Sequence, residues 1–406
     1  MKKQLTPAEQ LAKAQVPPEE QPYALPKGWK WVRLGGIAEL SKEKCDTFQV
    51  DDKYVGLEHM EKNGGAIDFG SAEGILSTKS VFHVGDVLYG KLRPYLNKHG
   101  IADFDGVCST DVLVFKTSTF ADKRWLNWSF DRLDFIRYAV ENSKGVNLPR
   151  VSAKEVLQAR VPLPPMEEQQ RIVQRIESLF AKLDAAEVRL NAVAATFAPR
   201  KAVLLRSAIH GKLTTLQDMC KSIFDGDHMP PPKVEEGVPF LVIANVHTGK
   251  LDFSQTRYVP QSYYDKLSTT RKPEKGDVLY TLVGSYGIPV LVDTDQAFCF
   301  QRHMGLLKPD HSKVETKYLW YALQLQNVFQ QATAIAKGTA QLTVPIKGFR
   351  QLHIPLPPLP EQRAIVAQLD RLLAREHQAA VAVTRARTEL RRLRAAILAR
   401  AFRGEL

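Results

Sequence analysis

The sixteen residues that begin at Val161, "VPLPPMEEQQRIVQRI", return at Ile354 as "IPLPPLPEQRAIVAQL". The match continues without a gap. Residues 161–213 align with 354–406 at a constant offset of 193, and 17 of the 53 positions are identical. Among them are Glu168/Glu361, Gln169/Gln362, Ile172/Ile365, Val173/Val366, Gly211/Gly404 and Leu213/Leu406. Solenoid repeats run to about 20–50 residues. A period this long instead demands a duplicated domain with its connector.

Each copy opens on prolines and continues as a long helix. Proline is compatible with a helix start, and the early Glu and Gln complement its positive end. In the first copy Ile172, Ile176, Leu179, Leu183, Ala186, Leu190, Val193 and Phe197 keep 4-3-4-3 spacing. In the second, Ile365, Leu369, Leu372, Ala379, Val383, Ala386, Leu390, Leu393 and Ile397 keep it, with Glu376 as the one interruption. This spacing predicts a coiled-coil seam, with the two helices paired antiparallel and the halves related by a pseudo-two-fold axis. Pro199 predicts a kink or break in the first helix. Gly211 and Gly404 stand where helix C-caps are expected.

The segments before the helices also correspond. "VGDVLYGKLRPY" (84–95) matches "KGDVLYTLVGSY" (275–286), and "SKGVNLPRVS" (143–152) matches "AKGTAQLTVP" (336–345). Short β-rich runs such as "DVLVF", "FLVIANV" and "IPVLVD" alternate with turns. One helical stretch follows in each half, "KRWLNWSFDRLDFIRYAV" and "TKYLWYALQLQNVFQQAT". The fold class is therefore mixed α/β: two α/β domains of about 130 residues each, separated by two long antiparallel helices. The boundaries are a polar arm at 1–24, a first domain at 25–160, a helical region at 161–213, a second domain at 214–353 and a helical region at 354–406. In the arm, "PAEQLAKAQ" is read as a short helix and the remainder as mobile.

The net charge of +12 and pI of about 9.4 favour a polyanionic partner. No apolar run approaches the ~20 residues that span a bilayer. The first residues hold lysines but no apolar core, so no signal peptide is expected and the location is read as cytoplasmic. Cys45, Cys108, Cys220 and Cys299 form no CxxC pair, which argues against a thiolate zinc site and fits a reducing compartment. The chain has no GxxxxGK[ST] phosphate loop, no glycine-rich dinucleotide turn and no HxxxH pair with a glutamate. No metal site and no catalytic residues are expected; "VDTDQ" (292–296) reads as a strand-end turn.

Diverged domains on matching connectors fit a two-headed reader of two different half-sites on DNA. The same connectors would offer equivalent docking surfaces to two copies of one partner. Base reading needs Arg or Lys for guanine and Asn or Gln for adenine, and phosphates take Lys, Arg, Ser or Thr. The first domain supplies Lys91, Arg93, Tyr95, Asn97 and Lys98, then Lys144, Asn147 and Arg150. The second supplies Ser285, Tyr286, Gln301, Arg302, His303, Lys337, Thr339 and Gln341. His228 reads as a turn residue. Arg385, Arg387, Arg391, Arg392, Arg394, Arg400 and Arg403 face only Glu389 within their own span, and suit a DNA channel, an acidic partner or a solvated helix face.

The phrase "PLPP..EQ..IV" heading a long helix, the closing "GKL" and the opening "LPKGWKWVRLGGI" together resemble one family. With "FDGDHMPPP", "GDVLY…GSYGIPV" and "CFQRH", the chain from about Leu25 to Leu406 resembles the specificity subunit of type I restriction–modification systems. Where related chains carry a longer helical N-terminus, only "LTPAEQLAKAQ" precedes the first domain here. The resemblance implies two target-recognition domains and two conserved helical regions. It implies a non-catalytic subunit that recognises a bipartite double-stranded DNA target and assembles with two methyltransferase subunits. Through them come restriction/translocase subunits, for adenine methylation or cleavage in host defence. S-adenosylmethionine, ATP and Mg are implied for those partners and no cofactor for this chain. A coiled-coil DNA-binding regulator or scaffold without methyltransferase partners is the alternative reading.

Overall fold

A computed structural model describes residues 6–49, 51–75, 77–226, 231–339 and 341–406; His228 lies outside the described residues. The chain divides into two compact units, residues 1–190 with 385–406, and residues 191–384. Both units draw on both long helices, Met166–Ala208 and Leu359–Ala401.

In the first unit a four-stranded antiparallel sheet runs Ala38–Leu40, Val112–Thr117, Val87–Gly90, His99–Ile101. The two central strands are almost wholly apolar and buried, as strands covered on both faces must be. In the second unit Cys220–Asp225, Met304–Pro309, Val278–Thr281 and Pro289–Leu291 repeat that order. Each unit adds a second sheet with one parallel pair, five-stranded in the first unit with Lys53–Val55 beside Gly106–Cys108, and three-stranded in the second with Val238–Leu241 beside Cys299–Phe300. The duplication seen in the connectors thus extends to the four-stranded sheets and the parallel pairs of both domains.

Several expectations change. Residues 161–163 and 354–356 open the repeat as strand, not helix. Arg160–Leu163 pairs with Lys30–Arg33, and His353–Leu356 pairs with Lys212–Thr215, so residues 212 and 213 are strand as well. Each expected single helix before the connector is two: Lys123–Phe130 with Leu133–Glu141, and Thr316–Ala322 with Gln326–Ile335. The first break falls at Arg132, whose backbone is extended and whose buried guanidinium donates to Arg160 O at 3.0 Å. From residue 6 onward the N-terminal arm is docked rather than mobile. Its helix is Pro7–Lys13, Val16 N–H donates to Trp31 O at 2.9 Å, and Tyr23 packs edge-on against Trp31.

The first long helix passes through Pro199 without a break. The missing N–H and the ring clash cost about 3 kcal/mol in a helix interior; the turn beyond, with buried Leu205, packs into the core of the second unit and offsets that cost. Helix pairing is antiparallel within each unit. In the first, Arg171 donates to Leu406 O at 2.6 Å, while Arg394 sits over the Phe180 ring and pairs with Asp184. In the second, Arg200 meets Glu376 at 2.5 Å and His210 meets Glu361 at 3.4 Å. Glu376, which interrupts the apolar spacing, is thus an ion-pair partner.

The seam differs from the heptad reading. Ile172, Ile176, Ile365, Leu369 and Val383 are buried, but Val193 and Leu393 are 45% and 49% exposed. Leu179, Leu183, Leu190, Phe197, Leu372, Leu390 and Ile397 are half-buried. In the first unit the covered faces carry Phe180, Leu398, Ala401 and Phe402 around Trp125. A straight α-helix drifts ~20° per heptad from a strict 3.5-residue stripe, so the stripe leaves the contact face.

The invariant glutamine of the repeat has one job in both copies. Gln169, fully buried, accepts from Asp122 N–H at 2.9 Å and donates to Phe120 O at 2.8 Å and Pro164 O at 2.9 Å. Gln362 accepts from Glu315 N–H at 2.8 Å and donates to Lys313 O at 2.9 Å and Pro357 O at 2.8 Å. Asp122 and Glu315 are the N-caps of the helices Lys123–Phe130 and Thr316–Ala322. One amide therefore fastens the start of a long helix to the loop entering its domain's helix pair, and satisfies three backbone groups in doing so.

Candidate nucleic-acid interface

In each unit the sequence-selected segments converge on one residue that follows the central strand. In the first it is Lys91. Its N–H donates to Asp111 O at 2.8 Å, and its carbonyl accepts from Val151 N–H at 3.1 Å. Arg93 N–H then donates to Pro149 O at 2.7 Å. In the second it is Leu282, whose N–H donates to His303 O at 2.8 Å and whose carbonyl accepts from Val344 N–H at 2.8 Å. Gly284 N–H donates to Leu342 O at 2.9 Å. The two junctions are the same construction. Even the left-handed backbone recurs, at Arg93 (φ 50°) and Gly284 (φ 69°); at Arg93 a side chain occupies a conformation that glycine adopts freely.

The junctions sort the candidate residues. Arg93, Tyr95, Lys144, Asn147 and Arg150 are exposed in the first unit, and Ser285, Arg302, Lys337, Thr339 and Gln341 in the second. Arg150 forms an ion pair with Asp111 at 2.8 Å. Others turn inward. Asn97 is 1% exposed and donates to Asp131 at 2.9 Å, beside a buried His99 that lies 3.0 Å from the same carboxylate. An amide buried in that network is a fold residue and cannot reach a base edge. Lys98 donates to Leu57 O at 2.5 Å. Tyr286 stacks on Phe329 at 5.4 Å and donates to Thr333 at 3.1 Å. Gln301 and His303 are half-buried in the turn before Met304–Pro309.

Burial lowers the Lys91 pKa, with Arg150 and Lys44 adding to the effect and Asp111 opposing it. Burial pushes the Cys108 thiol up to about 12, against the pull of Lys44, Lys79 and Lys91. Burial, then Arg302, lowers the His303 pKa. Lys44 and Lys79 were not selected from the sequence. Lys79 sits on a strand beside Gly106–Cys108 and Lys44 on the short strand beyond it, and only the sheet brings the two near Cys108. Val146 and Leu148, passed over as apolar, are 99% and 55% exposed at the hairpin tip.

The arginine run of the second long helix is partly neutralised. Arg394 pairs with Asp184 and lies 3.8 Å from Glu187, Arg392 pairs with Glu389 at 2.8 Å, and Arg403 lies over the Tyr23 ring at 5.3 Å. Among the described residues no group of His, Cys, Asp and Glu could hold a metal ion, and no helix is long and apolar enough to cross a membrane.

Fold and surface together define a tandem α/β protein with one equivalent junction in each half. Two matches to the family described as "Type I restriction modification DNA specificity domain" cover residues 26–195 and 213–380, and the chain belongs to that family. It is similar to the Escherichia coli type I restriction enzyme EcoDI specificity subunit, 32% identical over 214 residues, 51% of this chain and 47% of that protein. It therefore spans about half the length of that relative. The Methanocaldococcus jannaschii MjaVIII specificity subunit is 23% identical over 381 residues, 85% of this chain and 86% of that protein. Among solved structures, a chain of a type I R-M system superposes with a TM-score of 0.80 at 27% identity, covering 95% of this chain and all of that one. The HsdS subunit from Thermoanaerobacter tengcongensis does so with a TM-score of 0.61 at 28% identity, with the same coverage.

Proposed function

We propose that the chain is the non-catalytic specificity subunit of a type I restriction–modification complex. It reads a bipartite duplex target with one half-site per domain. Two methyltransferase subunits, with restriction subunits bound through them, methylate adenine or cut. S-adenosylmethionine, ATP and Mg belong to those partners. The observation that carries the reading is the repeated junction: one backbone construction presents Arg93, Lys144, Asn147 and Arg150 in one unit and Arg302, Lys337, Thr339 and Gln341 in the other. Equal scaffolds with unequal side chains are what two different half-sites require. Partner docking has separate support in the connectors. Val188 and Val381 occupy the same repeat position, are identical, and are 67% and 54% exposed. An apolar residue kept in water at both copies suits two copies of one partner.

The test is co-expression with an adenine methyltransferase encoded beside it, followed by purification and mapping of methylated adenines. A stable complex that methylates one two-part sequence supports the proposal. Binding to a bipartite duplex with no methyltransferase partner would leave a DNA-binding regulator instead. Methyl transfer by the chain alone would overturn the non-catalytic role.

A further inference from the structure

The hairpin of Ser143–Lys144 and Arg150–Val151 carries Val146, Asn147 and Leu148 at its tip. Val146 is 99% exposed and Leu148 55%. Single exposed apolar residues are ordinary, but this pair stands on a hairpin with an anchored base. The hairpin base is tied to the central strand by the Val151–Lys91 and Pro149–Arg93 bonds. At the turn, Gly145 has φ +101°, and an added Cβ would stand 3.0 Å from Leu148 O.

The fold itself does not ask for apolar residues there. At the offset of 193, Thr339 and Gln341 stand in the second unit where Val146 and Leu148 stand in the first, above an equivalent base at Lys337 and Thr343. Exposed Lys144 and Arg93 add positive charge beside the first tip, with Arg150 paired to Asp111, a setting suited to a polyanion.

Resting on the DNA-reading function above, we propose that Val146 and Leu148 are specificity-determining residues that contact thymine methyl groups in the major groove of one half-site. A two-stranded β-ribbon fits that groove, and the thymine C5-methyl is the apolar feature a base pair presents there. Asn147, between them, has the donor and acceptor that match the N7 and N6 of the paired adenine. The second domain, with Thr339 and Gln341, reads its half-site by hydrogen bonds.

The test uses the full chain. Duplexes are selected from a randomised pool by the wild type and by Val146→Ser/Leu148→Ser. The wild type should select a fixed A·T pair in one half-site, and the variant should lose preference at that pair alone. Replacing that thymine by deoxyuridine, which removes only the methyl, should weaken wild-type binding about fourfold, the worth of one buried methyl-sized group. The variant should not distinguish the two duplexes. The deoxyuridine arm needs no altered protein, so misfolding cannot mimic the result. Wild-type indifference to deoxyuridine would overturn the inference. So would a rise in 2-aminopurine fluorescence at the selected step without a methyl effect, which would mark a wedge. Loss of methyltransferase association in the variant with unchanged selection would make the tip a protein contact, and overturn it too. Failure of the wild type to select any duplex would sink the DNA-reading function itself.

Discussion

Replacing Gln169 by Leu tests why the connector repeats one glutamine. The substitution nearly conserves volume, so little cavity cost arises, but it strips partners from Asp122 N–H, Phe120 O and Pro164 O. An unsatisfied buried polar group costs about 1–3 kcal/mol. With relaxation and partial access of water, three such groups amount to about 3–5 kcal/mol. At a urea dependence near 2 kcal/mol per molar, the midpoint of the first unit should fall by roughly 1.5–2.5 M. Four of the five tryptophans, Trp29, Trp31, Trp125 and Trp128, lie in that unit, so fluorescence follows its unfolding. The adjacent Glu168→Gln is the control. Arg171 lowers the Glu168 pKa through an ion pair at 2.7 Å, but the pair is solvent-exposed and worth at most about 1 kcal/mol. Gln169→Glu adds a sign test. Burial against two carbonyls would raise that carboxyl's folded pKa above its unfolded value of about 4.3. Its stability should then be greatest at low pH and decline as pH rises past 4.3. A Gln169→Leu midpoint within about 0.3 M of the wild type would refute the anchoring role.

Exchanging residues 215–353 for the corresponding domain of a relative should change one half-site of the methylated target; a change in both would end independent readout. Arg302→Ala should relax preference at one base pair, costing about 1–3 kcal/mol on the selected duplex if the contact is bidentate. Lys144→Ala should instead weaken binding on every sequence and reduce the salt slope by about one; reversed outcomes in duplex titrations would exchange the two roles. Burial pushes Cys108 and Cys220 up to about 12, so at pH 8 only about one in ten thousand of either is thiolate. Mass spectrometry after brief alkylation of the native chain should find half-buried Cys45 labelled well before buried Cys108, and equal labelling would contradict that burial.

The repeat at offset 193, the proline-headed helices and the strand runs are local signals, and the architecture followed from them. Apolar spacing is set by the chain's own periodicity, and a duplicated pattern requires a duplicated solution. The composition of the hairpin and strand-end loops likewise marked the segments that meet at the two junctions. Burial was not legible. Asn97 has the chemistry of a base reader and lies buried beside His99 and Asp131, whereas Val146 has that of a core residue and stands in water. Glu376 breaks an apolar stripe in the sequence and completes an ion pair with Arg200 in space. Lys44, Lys79 and Lys91 come close only because strands far apart in the chain lie side by side. Each outcome depends on which backbone groups remain to be satisfied once distant segments pack, as with the three around Gln169. Residue type determines what a side chain can do, but only the tertiary hydrogen bonds decide which way it faces.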